Sequence, residues 1–221
     1  MRGCRSCPPR KQRPPRPPRQ RLDTEERRAQ LLALGLERFT QAPYDAVSID
    51  DLAREAGVSK GLLFHYFASK RAFYVAVLRA AADELLAVVV PDESLPPLER
   101  LEQGVEAYLA AVERRGEAYV WLMRSGIGGD PAVHQVVEET RQRFLARVLE
   151  GLPLGPPPPK LRLLLRGWIG MVEAASVEWV ATRAVPREEL RALLVKALAD
   201  GLVGLLAAPP AEPRGRRARK K

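Results

Sequence analysis

Residues 48–67, SIDDLAREAGVSKGLLFHYF, hold the side chains of this 221-residue chain whose types and spacing could do chemistry. Ser48 stands where an N-cap belongs, with Asp51 three residues on in a capping-box arrangement whose acid also suits the positive end of a helix. Ile49, Leu52 and Ala53 define the inner face of a two-turn helix, and Gly57 supplies the left-handed conformation that stops it. Val58 fills the angle, and Ser59 caps a second helix that begins Lys60, Gly61, Leu62. Two short helices at a steep angle, joined by a short turn containing glycine, are helix–turn–helix grammar. The second helix turns Lys60, Gly61, Phe64 and His65 outward and Leu63 and Phe67 inward. A donor-rich, sterically open N-terminal turn is what must enter a major groove to meet base edges. An ordinary αα-hairpin inside a bundle would use the same caps and the same glycine.

Other chemistries find no constellation. Cys4 and Cys7 are the only cysteines, and both lie among basic residues. A disulfide-stapled fold is therefore excluded, a reducing cytoplasmic home is the expectation, and one Cys-x-x-Cys falls short of the four ligands of a structural zinc. His65 and His134 stand far from it, so neither a metal nor a catalytic triad is expected. Ser125-Gly126-Ile127-Gly128-Gly129 is glycine-rich but follows no strand and lacks the Lys-Ser/Thr of a phosphate-binding loop, so it reads as a connection between helices. No catalytic residue and no cofactor is expected. No apolar run approaches the ~18–20 residues that cross a bilayer, and no apolar segment follows the basic N-terminus as in a secretory signal.

The elements that must position the 48–67 segment are helices. Apolar residues recur at three- and four-residue steps, as in Leu32, Leu36, Phe39, in Leu98, Leu101, Val105, Tyr108, Val112, and in Leu161, Leu165, Trp168, Val172. Asp130-Pro131 makes a further helix start, and Leu190, Leu194, Leu198, Leu202 and Leu205 form a last stripe. No alternating run with hairpin signals occurs. The expected fold is all-α with about nine helices. Short helices fill residues 22–70, a longer one connects over 70–90, and long helices fill 91–208. These spans read as a small head and a larger helical domain.

The formal charge of +9 is unevenly spread. Residues 1–21 carry eight positive charges, no acid and six prolines, and residues 209–221 a net +5. The body between them is mildly acidic, and residues 22–90, with eight positive and ten negative charges, stand at −2. Both ends read as disordered tails. They suit either a polyanion or solubility alone. A membrane-surface role would want an amphipathic basic helix, which the Pro/Arg-rich N-terminal segment cannot form.

The stretch from Arg28 to Leu78 resembles the DNA-binding domain of the tetracycline-repressor family of bacterial regulators. The resemblance rests on LL-x-x-GLERF at 31–39, Tyr44, Ser48-Ile49, LAREAGVSKG at 52–61, LFHYF at 63–67 and Ser69-Lys70. It implies phosphate contacts for Ser48, Ser59 and Lys70, base contacts for Lys60, Gly61 and Leu62, and base or phosphate contacts for His65 and Tyr66. Phe64 stands where the family usually has Tyr, which costs a phenolic phosphate contact. The resemblance also implies an all-α homodimer with a three-helix head and a larger C-terminal ligand-binding and dimerisation domain. Its partner would be an inverted-repeat operator in double-stranded DNA. Function follows as a ligand-responsive repressor, cytoplasmic and nucleoid-associated, with an activator or an effector-independent DNA binder as the alternative. An all-α enzyme with an apolar pocket is the weaker alternative, since no nucleophile–base pair supports it.

In the larger domain, Tyr108, Trp121, Met123, Phe144, Trp168, Met171 and Trp179 could line a pocket for an apolar or amphipathic small molecule, or simply form core. Glu173 and Glu178 sit on an otherwise apolar helix, so at least one could face inward, towards a ligand or towards an arginine such as Arg166 or Arg183. Gly167, Gly170, Ala174 and Ala181 put small side chains along one side of that helix. With Leu198, Leu202 and Leu205 of the last stripe they are the candidate dimer face that the resemblance implies, the alternative being a pair of helices packed only within the chain.

Overall fold

The computed structural model describes residues 23–90, 92–116, 130–152 and 157–207. Both basic tails, Trp121, Met123 and the glycine-rich 125–129 segment lie outside them. Eight α-helices, and no strand, are found among the described residues: α1 (Thr24–Gln41), α2 (Ile49–Glu55), α3 (Lys60–Tyr66), α4 (Lys70–Val88), α5 (Pro97–Arg115), α6 (Pro131–Glu150), α7 (Pro159–Thr182) and α8 (Arg187–Ala207). The all-α expectation holds, with a helix count close to nine.

Helices α1 to α3 and the first turns of α4 build the head around one apolar cluster. Leu31 and Phe39 of α1, Leu52 of α2, Leu63 of α3 and Phe73, Tyr74 and Val77 of α4 are its buried members. Aromatic rings set its geometry: Phe39 meets Tyr74 edge-on at 4.8 Å, and Phe67 meets Phe73 at 4.8 Å. Gly35 lets α1 and α4 come this close. A Cβ there would lie 2.6 Å from both Phe73 Cζ and Val77 Cγ2.

Five helices, α4 to α8, make the larger domain, with α8 packed on α5 and α7 and α6 wedged between α4 and α7. Its core takes Leu109 and Val112 from α5, Leu145 from α6, Leu165 and Trp168 from α7, and Leu194 and Leu198 from α8. Trp168 Nε1–H donates to the Leu194 carbonyl at 2.8 Å, so a buried ring satisfies its one donor while locking α7 to α8. Arg187 ties the start of α8 to Glu106 and Glu113 of α5 at 2.9 and 2.6 Å.

Candidate nucleic-acid interface and effector cavity

Backbone bonds close the turn between α2 and α3. The Val58 N–H donates to the Ala53 carbonyl at 2.9 Å and the Gly57 N–H to that of Arg54 at 3.1 Å, with Gly57 at φ 66°. These are the paired bonds of a Schellman stop, which a residue carrying a Cβ would strain. Serine hydroxyls then start three successive helices. Ser48 Oγ accepts from the Asp51 N–H at 3.3 Å, Ser59 from Leu62 at 3.1 Å and Ser69 from Ala72 at 3.0 Å. Asp51 turns its carboxylate to Arg54 instead of closing the box, and a complete capping box stands at Asp23 with Glu26. An accepting hydroxyl keeps its own proton to donate, so Ser48 and Ser59 can cap a helix and meet a phosphate at once.

The outer face of α3 is open. Lys60, Gly61, Leu62, Phe64 and His65 are exposed, Tyr66 is half-buried, and Leu63 and Phe67 are sunk in the head. Leu62 and Phe64 are large apolar side chains left in water, which suits thymine methyls or sugar faces. Gly61 has no internal reason to be glycine. A Cβ there would meet nothing nearer than Ser59 Oγ at 3.9 Å, yet glycine inside a helix costs about 1 kcal/mol against alanine. Lys60 Nζ rests on Asp50 Oδ2 at 2.9 Å, an exposed pair worth about 0–1 kcal/mol and easily given up to a polyanion. Lys70 Nζ sits 4.5 Å over the Tyr44 ring and donates to the Asp45 carbonyl at 3.3 Å, which holds the ammonium in place just after α3.

A cavity of about 310 Å³ opens among α4, α5, α6, α7 and α8. Tyr108, Phe144, Trp168 and Glu173 of the sequence candidates line it, with Tyr108 and Phe144 edge to face at 6.1 Å. Three candidates lie elsewhere. Met171 and Glu178 are exposed on α7, because at about 100° per residue each is rotated off the Trp168–Val172 face. Trp179 is buried beyond the cavity, donating Nε1–H to the Val185 carbonyl at 2.8 Å with Arg183 stacked on it at 4.5 Å. Glu173 faces inward, and its partner is Arg141, Nη2 to Oε2 at 2.8 Å, while Arg166 and Arg183 pair with Glu138 and Glu113.

The candidate dimer residues divide by face. Gly167, Ala174 and Ala181 are exposed and Gly170 half-exposed, and a Cβ at either glycine would meet nothing within 4 Å. Leu198, 1% exposed, points into its own domain, and Leu202 and Leu205 pack half-buried against the same core. The large apolar side chains that α7 and α8 leave in water are instead Leu163 at 74%, Met171 at 39%, Leu193 at 62% and Val203 at 67%.

One helix joins the two regions. Val133 and Val136, in the first turns of α6, belong to the head's cluster, while Thr140, Phe144 and Val148 further along line the cavity. Asp130 caps α6, its Oδ1 accepting from the Ala132 N–H at 2.8 Å, and grips Arg71 of α4 in a fork, Nε to Oδ2 at 2.5 Å and Nη2 to Oδ1 at 2.7 Å. The Arg71 guanidinium, helped by the α6 amides, holds this carboxyl down at about 2. Arg79 adds a second bridge to Glu139 at 2.6 Å.

A short-turn helix–turn–helix head, fused through α4 and α6 to a helical domain with an apolar cavity, defines a class of DNA-binding proteins that carry their own small-molecule pocket. Residues 31–77 match the family described as bacterial regulatory proteins, tetR family, and residues 97–201 match the tetracyclin repressor-like C-terminal domain. A crystal structure of a tetR-family transcriptional regulator from Streptomyces coelicolor is similar at TM-score 0.76 and 34% identity, covering 84% of each chain. The chain belongs to the tetR family. It is 34% identical over 115 residues to the HTH-type transcriptional activator FasR of Mycolicibacterium smegmatis, covering 51% of this chain and 52% of that protein. Over 89 residues it is 36% identical to the HTH-type transcriptional repressor KstR2 of Mycobacterium tuberculosis, covering 39% and 44%. The matches thus span about half the length of these curated relatives. No helix among the described residues is long and apolar enough to cross a membrane.

Proposed function

We propose that this protein is a homodimeric repressor that binds an inverted-repeat operator through α3 and leaves it when a small apolar or amphipathic molecule enters the cavity. The observation that carries the reading is α6, whose first turns are head core and whose later turns are cavity wall. A ligand that spreads the cavity acts on the same rigid element that props the head, so occupancy and the spacing of two recognition helices become one equilibrium. Ser48, Ser59 and Lys70 serve as phosphate contacts in this reading, and Lys60, Gly61, Leu62, His65 and Tyr66 reach the groove. Dimerisation uses the outer stripe of Leu163, Gly167, Gly170 and Ala174 against its symmetry mate, with Leu193 and Val203 beside it.

The test is gel-shift binding to the DNA upstream of the protein's own gene. A dimer should shift an inverted repeat, and scrambling either half-site should abolish the shift. Binding that ignores both half-sites would defeat the reading. An activator is the second reading, favoured by the Mycolicibacterium relative, whose name says activator. Transcription from the bound promoter in vitro, falling or rising with added protein, separates the two.

A further inference from the structure

The cavity's polar groups are unevenly answered. Of the four charged or hydroxyl-bearing side chains on its wall apart from the Tyr108 phenol, two are spoken for: Glu173 is gripped by Arg141, and Thr140 Oγ1 donates to the Val136 carbonyl at 2.7 Å. The other two are Arg100 of α5 and Arg147 of α6, whose hydrogen bonds go to backbone carbonyls, with the Asp92 carboxylate near enough to feel the Arg100 charge. Arg100 Nη2 donates to the carbonyls of Leu95 and Glu93 at 3.0 and 3.2 Å, and its Nε is shut off from water with no partner. Arg147 Nη1 donates to the Val89 carbonyl at 2.6 Å and to that of Leu86. Among the described residues, the ion pairs include neither guanidinium. Beside apolar walls a guanidinium without a carboxylate in hydrogen-bond contact is costly. Both line the cavity where the start of α5 abuts the end of α6: a Cβ at Gly151, one turn after Arg147, would lie 3.8 Å from Arg100 Cδ. Pro97 and Leu98, exposed at that same end, mark it as the way in, with Leu98 52% exposed despite its apolar side chain. At the other end Tyr108, Phe144, Val172 and Trp168 offer only an apolar bed around the neutralised Glu173.

We infer that the cavity takes an amphipathic anion, its single carboxylate-like head group held by Arg100 and Arg147 at the mouth and its apolar body lying towards Trp168 and Phe144. At roughly 30 Å³ for each water-sized group, 310 Å³ accommodates about ten methylene-sized groups, a medium-length acyl chain or a body of similar bulk. The inference deepens the effector reading above and rests on it.

Three ligands of one shape and different charge test it: decanoate, decanol and decylamine, each titrated calorimetrically into the full-length dimer below its micellar concentration. Decanoate should bind at least about tenfold tighter than decanol, and decylamine more weakly than either. Arg100→Gln should bring decanoate to the affinity of decanol while leaving decanol unchanged, so decanol reports that the cavity is intact. Arg100→Lys, which keeps the charge, should restore part of the preference. Equal binding of all three ligands, or a decanoate preference that survives Arg100→Gln with decanol unchanged, would overturn the anionic head group and leave the effector cavity standing. Failure of all three to bind the wild-type protein would overturn the cavity's role itself.

Discussion

The head and the larger domain solve opposite problems with the same kind of helix. In the head, about twenty consecutive residues both build the interface and present it. Caps at Ser48 and Ser59, the stop at Gly57 and the exposed face of α3 are all local. In the larger domain the cavity gathers its wall from five helices spread over residues 85–202, and no segment of it is meaningful alone. A surface that must fit an external double helix can be encoded by short-range grammar, whereas a cavity is a by-product of how long helices fail to fill the space between them.

The sharpest way to break the comparison is inside α3, where two neighbours have opposite duties. Leu63→Ala empties a fully buried site and should lower stability by about 2–5 kcal/mol. Leu62→Ala, one residue earlier and exposed, should leave the melting temperature unchanged and weaken operator binding. Equal melting losses would mean that the two faces of α3 are wrongly assigned. Next in size is the outer stripe of α7. Gly170→Arg with Ala174→Arg should yield monomers by sedimentation and lower operator affinity on the order of 100-fold, because the second half-site is no longer tethered to the first. A well-folded dimer with both changes would remove this face from consideration.

Two smaller effects probe the link between the regions. Asp130→Asn keeps a side chain that can cap α6 but loses the charge that holds Arg71, so it should reduce at least fivefold the factor by which effector weakens operator binding. The wild-type carboxyl has its native pKa depressed from 3.8 to about 2, so its stabilising contribution is present above pH 4 and disappears as pH falls from about 4 to 2. Melting curves of wild type and Asp130→Asn should therefore converge over that window, and parallel curves would show that Arg71 does not depend on the charge. Smallest is Lys70→Ala, expected to flatten the log–log salt dependence of operator binding by about one unit without changing sequence preference. An unchanged slope would leave Lys70 a purely internal contact of Tyr44 and Asp45.

How much was legible beforehand follows the same division. Leu63 and Phe67 inward, Lys60, Gly61 and His65 outward, and a stop at Gly57 could all be read from spacing, since each depends on neighbours within four residues. On α7 spacing failed. Leu165, Trp168, Ile169 and Val172 face the core, yet Leu163, Gly167, Met171 and Ala174 make a second apolar side facing out. A helix apolar on both sides does not say which belongs to its own domain, and so Met171 was expected in the cavity and Leu198 on the dimer face. Arg100 and Arg147 were missed because arginines read as surface until their helices are known to meet. Asp130 was recognised as a cap, but nothing in the sequence ties it to Arg71, 59 residues earlier.

Asp130 has a consequence for how this molecule breathes. One carboxylate fixes both the first turn of α6 and the resting place of the head. Fraying of that turn loosens the hold on Arg71, and loss of Arg71 removes a partner from the capping carboxylate, so the two local openings are coupled. Amide hydrogens at Ala132 and at Ala72, about sixty residues apart in the chain, should then exchange with solvent as a single cooperative unit, slowing together when operator DNA is bound.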